Sequence, residues 1–235
     1  MHFQDRLSQE LETLRTAGNL RVLRTLPKEL VNLSGNDYLG LLNDVDFRER
    51  FYASLSLEDR ALSAASSRLL TGNVPAAVQL EADLAAAYDA EAALVFGSGY
   101  HANTGILPAL MGPKSLILSD KLNHASMIDG IRATGATFYR FRHNDLGHAR
   151  SFLERYAADY DEVFVMTESV FSMDGDCTDL EAFVQLKRDF PNVVLYLDEA
   201  HGVGVFGETG LGLAHAKGLH REIDLLVGTF GKAWC

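Results

Sequence analysis

Hydrophobic positions fall along this chain in two rhythms. Phe3, Leu7, Leu11 and Leu14 recur at helical spacing and Gly18-Asn19 supplies a stop, so residues 2–17 are expected to form an amphipathic helix. A short apolar run at 30–33 then meets SGNDYLG. From Pro75 the stretch PAAVQLEADLAAAYDA is helical in pattern, with proline in the first turn, where its missing N–H would be unpaired in any case. After it, short apolar runs at 92–96, 115–118, 137–141, 162–167, 193–197 and 224–228 read as strands. Amphipathic segments of helical length, such as LGHARSFLERYAA and DLEAFVQLKRDF, separate most of them. This alternation predicts an α/β fold, a mainly parallel sheet sandwiched by helices. Residues 1–40 read as an N-terminal helix with an arm that leads into the domain, and residues 41–235 as the large domain that carries the sheet.

In open parallel sheets, ligands bind beyond the carboxyl ends of the strands. The segments that follow the strands here are GSGYHAN, DKLNHAS, RHND, ESVFSMDGD, DEAHGVG and TFGKA. They concentrate Gly, Ser, His, Asp and Lys, whereas the strands themselves are apolar. Six polar tips at one edge of a sheet describe a site.

Composition narrows the function classes. Hydrophobic residues make up 47% and charged residues 23%, the balance of a folded globular chain. The 21 basic against 32 acidic side chains give a net charge of −11, the wrong sign for binding a phosphate backbone, so nucleic acid is not expected as a partner. Two cysteines, Cys177 and Cys235, are too few for a disulfide framework or a structural zinc site. With no basic-then-apolar leader and no apolar run of about 18 residues, a cytoplasmic protein that does not enter a membrane is expected.

The box Asp198-Glu199-Ala200-His201 has the letters by which helicases hold magnesium against ATP. Such a site also requires G-x-x-x-x-G-K-[ST] on an earlier strand-to-helix turn. None is present: Gly231-Lys232 follows the box, has Leu226 where the first glycine belongs, and precedes Ala233. An aspartate and a lysine at neighbouring strand ends suit another chemistry. A lysine in a partly dry site loses preference for its charged form and can form a Schiff base with a carbonyl. A buried carboxylate can hold a protonated ring nitrogen and make a pyridine ring an electron sink. Pyridoxal 5′-phosphate needs both groups, and the GSGY turn opening a helix offers N–H donors and a favourable dipole to its phosphate.

The segments SGNDYLGL, GSGYHAN, DKLNHASMIDG, HND, TESVFSMDGD, LDEAHGVGVFGETGLG and GTFGKA resemble, in order and spacing, the α-oxoamine synthases, a family of fold-type I pyridoxal-phosphate enzymes. The resemblance runs from about residue 3 to the last residue. It implies that Lys232 carries the cofactor as a Schiff base and that Asp198 pairs with the pyridine nitrogen. It places His201 near the ring hydroxyl, His124 stacked on one ring face and Ala200 on the other. Gly99, Tyr100 and Thr229 correspond to phosphate-side positions, Glu168 and Ser172 line the cofactor pocket, and Arg21 and Asn36 match substrate-binding positions. His124 is also expected to help polarise the acyl carbonyl.

The implied reaction is a decarboxylative condensation of an amino acid with an acyl-CoA or acyl-carrier-protein thioester. The pattern looks most like the branch that takes L-alanine and a pimeloyl thioester, with glycine and an acetyl thioester as the alternative. The resemblance further implies a homodimer, with a subunit contact at the small residues 63–67.

The chain also departs from that pattern. In LSAASSRLLTGNVPAAVQLE, Ala77 stands where relatives carry a histidine. Relatives also continue beyond the lysine motif into a smaller C-terminal domain that this sequence lacks, so the chain by itself is expected to be poorly active. A second reading, a truncated binding module without catalysis, is separated from the first by whether the folded chain takes up pyridoxal phosphate on Lys232. No histidine falls at H-E-x-x-H spacing and no metal is expected. His143, His148, His215 and His220 are read as surface or packing residues, and Met166 and Met173 as core filler.

Overall fold

The computed structural model describes residues 2–25, 27, 30–60 and 63–235. Two compact units form, Met1–Gly35 and Asn36–Cys235. The first holds one helix, α1 (Phe3–Thr16), where the Asp5 carboxylate accepts the His2 N–H at 3.3 Å. The helix stops at Gly18, whose φ of +70° suits a residue without a side chain. Its apolar stripe of Phe3, Leu7, Leu11 and Leu14 is exposed, so helical spacing here does not signal a buried face.

In the second unit the order is α2 (Val45–Ser54), α3 (Pro75–Tyr88), α4 (Gly99–Leu110), β1 (Ser115–Asp120), α5 (Ala125–Thr134), β2 (Thr137–Phe141), α6 (Leu146–Tyr156), β3 (Glu162–Glu168), α7 (Leu180–Asp189), β4 (Val193–Asp198), α8 (Leu213–Ala216) and β5 (Leu225–Val227). The strands form one all-parallel sheet in the order β2-β1-β3-β4-β5. The chain leaves β1 for one side of the sheet, to β2, and then places β3 on the other. The strand order therefore reverses between β1 and β3, where such sheets open a crevice for ligands.

Side chains on a strand alternate between its faces, and two cores result. Leu116, Leu118, Val163, Val165, Leu195 and Leu197 face Leu153, Leu180, Phe183 and Leu186 of α6 and α7. Ile117, Phe164, Met166, Tyr196 and Val227 face Leu107 of α4 with Met127 and Ile131 of α5. Burial on both faces explains why these strands are continuous apolar runs. The same parity aims the terminal side chains: Glu168 and Asp198 follow Met166 and Tyr196 toward α4 and α5, and Asp120 follows Leu118 toward the α6 side.

Helices α4 and α5 cross closely because Gly130 carries no side chain. A Cβ there would lie 2.6 Å from the Asn103 carbonyl oxygen and 2.9 Å from Leu107 Cδ1.

Residues 92–96 form no strand of this sheet. The Val95 N–H instead donates to Glu81 Oε1 at 2.7 Å, and Glu81 in turn receives Arg68 Nη1 at 2.6 Å and Arg68 Nη2 at 2.8 Å. Side chains thus satisfy backbone that a ladder would otherwise hold. That donor set holds the Glu81 carboxyl down at about 2. Met166 is buried, but Met173 is 89% exposed in the loop after β3, so it is not core filler. Among the described residues, no helix is long and apolar enough to cross a membrane.

Candidate active site

The loops beyond β4 and β5 bring Lys232 to His201. Gly204 makes this possible: its φ is +82°, and a Cβ would stand 2.5 Å from that of buried Ala233, immediately after Lys232. Lys232 Nζ lies 2.6 Å from His201 Nε2, and His201 Nδ1 lies 2.7 Å from Tyr38 Oη. Tyr38 Oη also donates to Asn36 Oδ1 at 3.2 Å. One proton assignment satisfies all three contacts: the Lys232 ammonium donates to Nε2, Nδ1–H donates to the phenol, and the phenol donates to Asn36. Burial and the Lys232 charge hold His201 down at about 4, so its imidazole is neutral at physiological pH. Burial also lowers the Lys232 pKa, against the opposing pull of Asp198 and Glu168.

Asp198 ends β4 and is almost fully buried. Its Oδ2 accepts Asn103 Nδ2 at 2.9 Å, and its Oδ1 accepts the Ala200 N–H at 2.9 Å. Glu168 is its register partner on β3. Burial first, and the Asp198 charge second, push Glu168 up to about 8. Glu168 Oε1 accepts the His124 N–H at 2.6 Å, joining the carboxyl ends of β1 and β3 across the switch point. His124 begins α5, and its Nδ1 receives the Ser126 backbone N–H at 3.2 Å.

The first turn of α4, which holds Gly99 and Tyr100, brings Gly99 beside Thr229. A Cβ on Gly99 would lie 3.7 Å from Thr229 Cβ and 3.9 Å from its hydroxyl. Ser98 Oγ caps the helix by accepting the His101 N–H at 3.1 Å. Helix N-termini leave N–H groups without intrahelical partners and carry partial positive charge, so this turn suits an anion. The Tyr100 phenol points elsewhere, donating to Asp129 Oδ2 at 2.9 Å.

The structure thus joins Lys232, His201 and Asn36 in one hydrogen-bonded chain, Asp198 to Ala200, Glu168 to His124, and Gly99 to Thr229. Ser172 is exposed in the loop after β3, with no side-chain hydrogen bond to this group among the described residues. Arg21 lies in the first unit and is exposed. In the small-residue loop, Leu62 lies outside the described residues, and Ala65 has a φ of +51°.

Sequence reasoning missed several participants. Tyr38 lay within SGNDYLG, and Asn103 within GSGYHAN one helical turn after Gly99. Glu199, buried beside Asp198, accepts Ser169 Oγ at 2.9 Å, the Leu213 N–H at 2.9 Å and the Ala214 N–H at 2.7 Å, which ties the loop after β3 to α8. Its immediate position after the site aspartate was the available signal. His143 is more than a packing residue. It bridges Asp120 Oδ1 at 3.0 Å and Asp176 Oδ2 at 2.7 Å, and its ring stands edge-on to Phe171. Among the described residues, no cluster of three His, Cys, Asp or Glu side chains could hold a metal ion.

The chain matches the sequence family described as aminotransferase class I and II over residues 28–235. It is 54% identical over 206 residues to a Neisseria gonorrhoeae protein provisionally named 8-amino-7-oxononanoate synthase, covering 88% of this chain and 54% of the relative. A Haemophilus influenzae protein of the same provisional name is 49% identical over 239 aligned residues, covering 97% and 63%. The chain therefore spans 54% to 63% of the length of these curated relatives. Among solved structures, serine palmitoyltransferase from S. paucimobilis with a bound PLP–myriocin aldimine matches with a TM-score of 0.82 at 30% identity, covering 97% of this chain and 62% of the other. An 8-amino-7-oxononanoate synthase from Francisella tularensis matches with a TM-score of 0.67 at 27% identity, covering 88% and 56%. The parallel sheet and its flanking helices have the architecture of the fold-type I large domain.

Proposed function

The chain belongs to the aminotransferase class I and II family, and from that premise we propose that its parent enzyme uses pyridoxal 5′-phosphate to condense L-alanine with a pimeloyl thioester. Carbon dioxide and a thiol leave, and 8-amino-7-oxononanoate forms. One observation carries the cofactor reading. Lys232, an amine whose charged form burial disfavours, and Asp198, a buried carboxylate fixed by two N–H donors, stand beyond neighbouring strand ends.

The residues present fit this cofactor. Lys232 Nζ would hold its aldehyde carbon, Asp198 its ring nitrogen, His201 its hydroxyl, and the α4 N-terminus with Thr229 its phosphate. His124 and Ala200 would flank the ring, with Glu168 and Ser172 lining the pocket. When bound, pyridoxal phosphate supplies a protonated ring that accepts the electron pair released at the amino acid α-carbon. Asp198 keeps the ring nitrogen protonated, because its fixed negative charge favours the pyridinium form. Lys232 Nζ would also be the amine placed to accept the substrate α-proton. His124 would orient the ring and polarise the acyl carbonyl, and Asn36 would hold substrate; Arg21 is proposed as a substrate residue on the sequence pattern alone.

Support for the substrates comes from the relatives' names. The serine palmitoyltransferase neighbours favour comparison with a different amino acid and a longer acyl chain, and one added methylene shifts discrimination by only about 1–3 kcal/mol. Thiol release by the full-length parent therefore decides, with L-alanine, glycine or L-serine paired against pimeloyl, acetyl or palmitoyl thioesters. Preference for L-alanine with pimeloyl thioester is expected. Preference for glycine with the acetyl thioester would overturn the substrate assignment and leave the cofactor assignment standing. The parent is further proposed to be a cytoplasmic homodimer with a subunit contact at residues 63–67.

A further inference from the structure

We infer that Asn103 is a positioning residue that couples Asp198 to His124 through Ser126, fixing both the carboxylate and the imidazole tautomer. The inference deepens the reading above and rests on it for the meaning of the two coupled groups.

Asn103 is 2% exposed, so every polar atom of its amide needs a partner inside the protein. All are supplied. Tyr196 Oη donates to Asn103 Oδ1, while Nδ2 donates to Asp198 Oδ2 at 2.9 Å and to Ser126 Oγ at 3.0 Å. This set admits one amide orientation. Turned over, the carbonyl oxygen would face the Asp198 carboxylate, and the amide nitrogen would lose its acceptors.

Ser126 transmits the constraint. Its hydroxyl has a single proton and already accepts from Asn103, and it lies 2.8 Å from His124 Nδ1. The Ser126 backbone N–H donates to that same Nδ1 at 3.2 Å, which makes Nδ1 an acceptor, so the hydroxyl proton is donated to it as well. A nitrogen that accepts two hydrogen bonds carries no proton in a neutral imidazole, so the His124 proton sits on Nε2. Removing the Asn103 amide frees the Ser126 hydroxyl to rotate and leaves Asp198 Oδ2 without its donor. The close crossing of α4 and α5 at Gly130 brings Asn103 within reach of Ser126.

The test uses the full-length protein labelled with ¹⁵N-histidine. Long-range proton–nitrogen correlation spectra, recorded without cofactor, report the His124 tautomer, and a separate pyridoxal phosphate titration reports affinity. Wild type is expected to show the Nε2–H form. Asn103→Ala should shift His124 toward a mixture of tautomers and weaken pyridoxal phosphate binding roughly tenfold, the scale of one buried hydrogen bond to a charged group. An unchanged tautomer in Asn103→Ala overturns the coupling. Should that variant fail to fold, Ser126→Ala removes the relay while Asn103 keeps its bonds to Asp198 and Tyr196, and an unchanged tautomer there is equally decisive. Wild type that shows the Nε2–H form but takes up no pyridoxal phosphate defeats the cofactor reading alone.

Discussion

Lys232 Nζ and Tyr38 Oη approach opposite nitrogens of one imidazole, that of His201. The ring is neutral, so it can receive a proton from one neighbour only as it yields one to the other. Tyr38→Phe should break this chain at its far end. The expected result is a pyridoxal phosphate affinity lower by roughly three- to tenfold, the range of one neutral hydrogen bond. Equilibrium titration checks it. An affinity unchanged within error would show that Tyr38 holds His201 without consequence for the cofactor.

Lys232→Ala should abolish covalent attachment of the cofactor, since among the described residues Lys232 Nζ is the amine that reaches His201. Borohydride reduction followed by peptide mass spectrometry locates any pyridoxyl-lysine. A modified lysine at the wild-type level in this variant would displace Lys232 from its assigned role.

Asp198→Asn keeps the shape and the Ala200 contact but removes the charge. Cofactor attachment should persist, whereas exchange of the substrate α-proton in deuterated buffer should fall by about a hundredfold or more, as for loss of a fixed charge at a reacting centre. Exchange at the wild-type rate in the parent enzyme would be incompatible with Asp198 holding the ring nitrogen.

Glu168 predicts a pH dependence of the cofactor-free protein. Its folded pKa is raised to about 8 by burial and by Asp198. Its stabilising contribution is fully present below the unfolded value, near 4.3, and is lost as pH rises through the folded value. Across that window stability should fall with rising pH by at most roughly 1.4 kcal/mol per unit from this residue. Urea midpoints for wild type and Glu168→Gln should therefore diverge between about pH 5 and about pH 8, with the variant showing the shallower slope.

Gly204→Ala should destabilise by roughly 1–3 kcal/mol, because a Cβ there meets that of Ala233 and the backbone is left-handed. The displaced Ala233 should carry Lys232 with it. Urea denaturation and cofactor titration of the same variant should thus both report losses, whereas Gly218→Ala, where φ is +69° but no atom crowds the position, should affect stability alone.

Much of this arrangement was legible in the sequence where burial acts on both sides of a strand. The runs that became β1, β3 and β4 are apolar throughout because both faces are covered, and the polar residues at their ends stand out against them. Residues 92–96 have the same look, yet the Val95 N–H is held by Glu81, a side chain midway along α3 that no local pattern announces. Asn103 was hidden for a related reason. One polar residue among apolar neighbours on a helix is unremarkable until Asp198 is found opposite. Metal-ligand spacing does not announce His143, because its partners are Asp120 at the end of β1 and Asp176 in the loop after β3. Tyr38 belongs to the SGNDYLG motif, but its distance in sequence from His201 conceals the pairing.

Those separations bear on how the protein reaches its working state. Asn103 and Asp198 are 95 residues apart, and Tyr38 and His201 are 163. Closing such intervals costs chain entropy that local helices and neighbouring strands do not require, so these contacts belong to the slow, non-local end of folding. A chain trapped with its sheet paired and its helices formed, but with these residues still apart, would give a nearly native circular dichroism spectrum and have nothing to grip pyridoxal phosphate. Cofactor uptake during refolding therefore reports a later event than secondary structure does, and timing the two signals in one experiment would read out the interval between them.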